Sequence, residues 1–253
     1  MRLDGALMFA RFAFPPNELG YCGPDASAEL LERAAAGAGG PQLRALARGF
    51  AGAWPYLELI AAANAIGDPL DARVVEAYWL GNVLLDRVRP RELADSVATR
   101  FGSQVRDRDR LLAPIGDGAL PHHGFHVFGV YPWVGLLRAG RVDEPLSVLE
   151  RCRIRWGRVE SLAGDEAIVT SRPLRWTGTR LELGVPRQET VIAGRRGYQL
   201  TSELRVGDWC ALHWGWACQR LSARQLRALA GYTCRQLAAV NRAPYPAPAS
   251  VLS

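Results

Sequence analysis

Lysine is absent from this chain: all 31 basic residues of the 253 are arginine, set against 25 acidic ones for a net charge of +6. Such a bias reads as coding preference with arginine filling surface positions, although the planar guanidinium also suits bidentate contacts. A run of five or more basic residues is missing too, and acidic residues are interspersed throughout. That pattern argues against direct nucleic-acid binding. No stretch of about eighteen uncharged apolar residues occurs, so a membrane span is not expected. With Asp4 close after Arg2, and Arg11 interrupting the first apolar stretch, the opening residues lack a signal-peptide layout. The expected compartment is the cytoplasm.

Paired cysteines are also missing. The five thiols (Cys22, Cys152, Cys210, Cys218, Cys234) are odd in number, irregularly spaced and without a CxxC pair. A disulfide framework is not expected from that count, and neither is a ribbon or finger zinc site, which needs thiolates at short spacing to close a tetrahedron. Individual thiols remain, each to be judged on its surroundings.

What is present is apolar content, 49% of residues, ample for one large core or two modest ones. Residues 1–145 read as an all-helical domain, with helices over about 26–36, 42–66 with a break at Pro55, 71–88 and 91–101. Asp25, Pro41, Asp71 and Pro90 bound these segments as capping or breaking residues. Val75, Trp79 and Val83 recur at four-residue intervals beside Val74 and Tyr78, which predicts a buried stripe. From Arg151 the texture changes to short alternating runs at 153–159, 166–170, 180–183, 189–192 and 209–217, punctuated by Gly and Pro. Strands this short and close predict a small OB-like β-barrel over 150–243. A last helix is predicted from Ser222, where Ser222 and Gln225 form a capping box ahead of Leu226, Leu229, Thr233 and Leu237. The tail at 244–253, proline-rich from Pro244, is expected to be disordered. The fold class is therefore α+β.

Two separated segments carry a resemblance. The first is Cys152-Arg153-Ile154-Arg155-Trp156-Gly157-Arg158-Val159 and the second Val206-Gly207-Asp208-Trp209-Cys210-Ala211-Leu212-His213-Trp214-Gly215-Trp216-Ala217, followed by the capping box. Together with Leu183-Gly184-Val185-Pro186-Arg187-Gln188-Glu189-Thr190-Val191 between them, they resemble the HypC family of nickel-iron hydrogenase maturation chaperones over about a third of the chain. Cys152, Gly157, Arg158 and Val159 fall on the family's opening motif, with Trp156 where the family has proline. In that family the cysteine follows the initiator methionine, whereas Cys152 is internal. The resemblance implies a non-enzymatic accessory chaperone in which Cys152 and His213, with Gly157 and Arg158, bind the immature large subunit or an iron unit, Fe(CN)2CO, held transiently. It implies the hydrogenase large subunit and a HypD-like scaffold as partners. A thiolate is a soft donor suited to such iron, and Arg151, Arg153 and Arg155 would lower the thiol's pKa if they point toward it.

The other histidines cluster in Pro121-His122-His123-Gly124-Phe125-His126. On a helix His122 and His126 share a face, as do His123 and His126, so His122, His123 and His126 with Cys22 form a second candidate metal set. The alternative for this segment is a histidine-containing helix cap leading into an apolar helix at 125–137 kinked at Pro132. Two further function classes follow: an OB-like single-stranded nucleic-acid binder using Trp209, Trp214 and Trp216, or a Cys/His enzyme built on Cys22 and the histidine cluster.

Overall fold

The computed structural model describes residues 4–37, 39–101, 119–195, 197–201 and 204–242. The proline-rich tail lies outside them. Among the described residues, helices precede Arg153 and strands with one last helix follow, so the class is α+β as expected. The chain opens with α1 (Gly5–Glu18), capped by Asp4, whose carboxylate accepts from the Leu7 amide at 3.0 Å. This helix was not anticipated, because it runs through Pro15 and Pro16. It is buried along nearly its whole length and forms the floor of the main core.

Around it lie α2 (Ser27–Ala35), α3 (Pro41–Arg48), α4 (Trp54–Ala63), α5 (Ala72–Trp79) and α6 (Pro90–Phe101). The single helix expected over 42–66 is two, and Pro55 sits at the start of α4, where a missing amide costs nothing. Helix α5 ends early for a similar local reason. Gly81 takes φ +87° and receives the Tyr232 ring, so the chain leaves the helix and Val83 is 75% exposed. Val74, Val75, Tyr78 and Trp79 are buried as the stripe predicts.

The apolar segment predicted as a helix at 125–137 is instead an α-turn at His123–Phe125, a π-helical stretch at His126–Val130, and then α7 (Trp133–Arg138). Pro132 separates the last two. Helix α8 (Asp143–Cys152) was also unanticipated, and it ends on the cysteine just ahead of the strand run expected from residue 153.

Strands β1 (Arg155–Ala163), β2 (Glu166–Ser171), β3 (Leu174–Trp176), β4 (Leu181–Leu183), β5 (Arg187–Ile192), β6 (Trp209–His213) and β7 (Trp216–Arg220) follow. Five of them run in the order β1-β2-β5-β7-β6 round a barrel-like ring, and β3 pairs with β4 separately. The β5–β7 junction is one parallel pair, Ile192 with Trp216. The run expected over 209–217 is the β6–β7 hairpin. Its two turn residues, Trp214 (φ +49°) and Gly215 (φ +84°), both adopt the left-handed conformation a two-residue hairpin demands. The capping box forms as predicted: the Gln225 amide donates to Ser222 Oγ at 3.2 Å, and the Ser222 amide to Gln225 Oε1 at 3.1 Å. Helix α9 (Ala223–Arg242) then returns across the helical half, burying Leu229, Thr233 and Leu237.

Helices and strands share one apolar core. Phe9, Phe12, Tyr56 and Trp79 belong to the same buried cluster as Ile154, Ala211, Trp216 and Leu229. The barrel keeps a smaller interior of its own, around Val159, Val169, Val191 and Leu212. No helix among the described residues is long and apolar enough to cross a membrane.

Candidate metal centre

Cys152 and His213 are brought together by one backbone hydrogen bond. The Trp214 amide, at the tip of the β6–β7 hairpin, donates to the Arg151 carbonyl at the end of α8, at 2.9 Å. That bond places the last residue of β6 beside the last residue of α8. The left-handed Trp214 costs roughly 1–2 kcal/mol of backbone strain. Its indole compensates by stacking on Tyr21 (centroids 4.3 Å apart) and lying beneath the Arg151 guanidinium.

The third member comes from the helical half. His123, Cys152 and His213 place one ligand atom each so that all lie within 4.8 Å of one another. His123 reaches the pair because its Nε2–H donates to the Cys152 carbonyl at 2.8 Å. The two imidazoles meet edge to face, 5.3 Å between centroids, and Trp79 lies against both.

Hydrogen bonding assigns the tautomers. His213 Nδ1 is 2.7 Å from the Phe12 carbonyl, so it carries the proton, and Nε2 keeps a lone pair with no hydrogen-bond partner although buried. The proline pair of α1 explains why that carbonyl is free. In a helix the amide of residue 16 would donate to the carbonyl of residue 12, and Pro16 has no amide hydrogen. In His123, Nε2–H donates to the carbonyl and Nδ1 accepts from the Tyr78 hydroxyl at 3.3 Å.

All three groups are uncharged. Burial lowers the His123 pKa to about 4 and pushes His213 well below its usual value, with the neighbouring His123 adding to the latter. Burial raises the Cys152 thiol to about 12, and the Cys22 thiol adds to the effect. The arginines expected to lower it point elsewhere. Arg153 bonds Glu150 and the Arg172 carbonyl, Arg155 pairs with Glu150 and Glu189, and Arg151 covers Trp214. Position at a helix C-terminus, where partial negative charge gathers, also disfavours a thiolate.

A cavity of about 150 Å³ opens beside the three ligands. Its walls are Cys22, Tyr78, Trp79, His126, Tyr131, Trp133 and Trp214, with no acidic side chain among the lining residues. Exposed Tyr21 and half-buried Trp133 stand at its edge. Cys22 is held there by Asn17, whose buried amide donates to the carbonyls of Cys22 (2.7 Å) and Pro24 (2.6 Å).

Of the second candidate set, Cys22, His123 and His126 therefore face the same cavity as Cys152 and His213. His126 sits against Tyr56 and Tyr131. His122 does not line it: its Nδ1 accepts from the Gly124 amide at 2.9 Å, capping the turn, and its ring stacks on Tyr232. Gly157 and Arg158 are also away from it. Gly157 makes room in the barrel for Val169 and Leu212, and Arg158 is exposed. Trp214 and Trp216 are 4% and 2% exposed, so neither presents a face for base stacking.

Sequence reasoning named all three members of the cluster but divided them between two sites. Only a contact between the histidine segment and the end of α8 could have joined them, and no local pattern encodes it. Residues 1–247 match a family of unknown function, DUF6390, and the chain belongs to that family over nearly its whole length. No curated protein and no solved structure matches it.

Proposed function

We propose that this protein is a non-catalytic accessory chaperone of nickel-iron hydrogenase maturation, acting in the cytoplasm, which holds the immature large subunit, the Fe(CN)2CO unit, or both through Cys152. The observation that carries the reading is the convergence of Cys152 and His213. They are far apart in sequence, both fall on the motif residues of the HypC resemblance, and they share one cavity. A cysteine sulfur that gives up its proton on binding, with an imidazole beside it in an aromatic pocket, suits an iron unit carrying cyanide and carbon monoxide as cargo. The helical half covers this pair, so the unit would be sheltered from water and oxygen while it waits for its acceptor. The partners on this reading are the hydrogenase large subunit and a HypD-like scaffold.

The test is infrared spectroscopy of the protein purified without oxygen from its own host, with co-purifying proteins identified. Cyanide and carbonyl bands that vanish in Cys152→Ala are the expected result for a carrier. A co-purified large subunit without bands restricts the role to chaperoning the subunit. Neither bands nor the subunit overturns the reading.

A further inference from the structure

We propose that His123, Cys152 and His213 form a binding site for a divalent transition-metal ion of borderline softness, ferrous iron or zinc, with a fourth coordination position open to the adjoining cavity. The inference rests on the cluster's geometry and stands whether or not the protein serves hydrogenase maturation.

The donor set decides the class of ion. One thiolate and two imidazoles suit zinc and ferrous iron, whereas magnesium and calcium require oxygen ligands, and no carboxylate lines the cavity. Bonds of about 2.0–2.3 Å in a tetrahedron place ligand atoms roughly 3.3–3.8 Å apart. The three atoms here lie within 4.8 Å of one another, so closure of about 1 Å by side-chain rotation brings them to that spacing.

Independent of the spacing, His213 is prepared as a ligand. Its side chain is 1% exposed, its Nε2 carries a lone pair with no partner, and its other nitrogen is fixed by the Phe12 carbonyl. Metal-bound histidines use this arrangement, in which a backbone acceptor sets the tautomer and aims the ring. A buried polar atom without a partner is otherwise a cost, and an ion removes it. His123 is the more expensive ligand, because it must exchange a hydrogen bond to Tyr78 or to the Cys152 carbonyl for the metal. The C-terminus of α8 offers its partial negative charge to the cation at Cys152.

Charge then selects what fills the fourth position. A divalent ion and one thiolate leave a net positive charge beside a largely apolar, aromatic wall, where an unbalanced charge is costly. The wall supplies no carboxylate, so a small anion completes the centre.

The test uses the full chain, stripped with a chelator and titrated anaerobically with cobalt(II), whose thiolate charge-transfer and tetrahedral d–d bands report the ligands directly. Wild type is expected to bind one ion per chain, to release it to zinc, and to change its d–d spectrum on adding azide. Cys152→Ser should lose the charge-transfer band, and His213→Ala and His123→Ala should each weaken binding more than about tenfold, since even supporting residues behind a ligand are worth about 10–100-fold. Cys234→Ala, at an exposed thiol, is the unchanged control. Circular dichroism and thermal melts confirm that each variant is folded. A folded wild type that fails to bind, or bands that persist in Cys152→Ser, overturns the proposal. Undiminished binding in folded His123→Ala overturns the three-ligand site. Cobalt binding with neither infrared bands nor a co-purified large subunit from the native host would sink the hydrogenase reading and leave this one standing.

Discussion

Acid should unfold this protein through its histidines before its carboxylates titrate. His122, His123 and His213 are buried and neutral, with burial lowering the first two to about 3 and about 4 and the third well below its usual value. In the unfolded chain each titrates near 6.5. The folded pKa lies below the unfolded one, so the unfolded state binds more protons as pH falls. The stability is fully present above about 6.5 and is lost as pH drops from there toward the folded values. At pH 5.5 each histidine has withdrawn about 1.4 kcal/mol relative to pH 8, about 4 kcal/mol for the three. That is a large share of the roughly 5–15 kcal/mol a domain possesses. Carboxylates contribute mainly below about pH 5, which leaves the window from 7.5 to 5.5 to the imidazoles. Urea midpoints measured across that window, with chelator present, should fall steeply, with a slope corresponding to about three protons at its acid end. In His122→Asn the side chain can still accept from the Gly124 amide, so the cap survives while one titrating ring is gone. Its slope should drop to about two protons. A midpoint that stays level from pH 7.5 to 5.5, or an unchanged slope in His122→Asn, refutes the reasoning.

Three other perturbations have defined outcomes. Glu150 pairs with Arg153 and Arg155 and accepts the Leu174 amide at 2.8 Å. Glu150→Ala strands Arg153, which is 2% exposed, and should cost about 3–5 kcal/mol in urea unfolding. Glu150→Gln keeps the Leu174 bond and should cost less; equal losses would show that the charge is not what matters. Gly81→Ala forces a left-handed alanine whose Cβ would lie 2.0 Å from the Tyr232 ring. Backbone strain and overpacking together predict a loss of about 3 kcal/mol, visible as a lower melting temperature. In thiol titration with an aromatic disulfide, Cys234 is exposed and should react fast. Burial raises Cys22, Cys152 and Cys210 to about 12 and Cys218 well above its usual value, so these four should react only slowly until denaturant is added. Fast labelling of Cys152 in the metal-free protein would contradict its burial.

The features legible in the sequence are those encoded by near neighbours. Ser222 and Gln225 announce the start of α9 because a capping box is completed within four residues, and the alternating runs after Arg151 announce strands because side-chain direction repeats every second residue. The change from helix to strand, and with it the α+β class, is visible on the same grounds. Cys152 and His213 could be singled out because their motifs are contiguous.

Tertiary structure decided the rest, because it depended on partners distant in sequence. Pro15 and Pro16 read locally as the end of a helix, yet burial against the core carries α1 through them and hands the Phe12 carbonyl to His213. Cys152 reads as a residue at the edge of the strand region with arginines around it. In the fold it ends a helix, those arginines turn to Glu150, Glu189 and Trp214, and burial raises the thiol with no arginine to oppose it. His122 and His123 are adjacent and look equivalent. The fold uses one lone pair to cap a turn and brings the other ring to Cys152. The residue types needed to hold a metal were all present in the linear chain, but which three could meet was set by the contact between the helical half and the strand half.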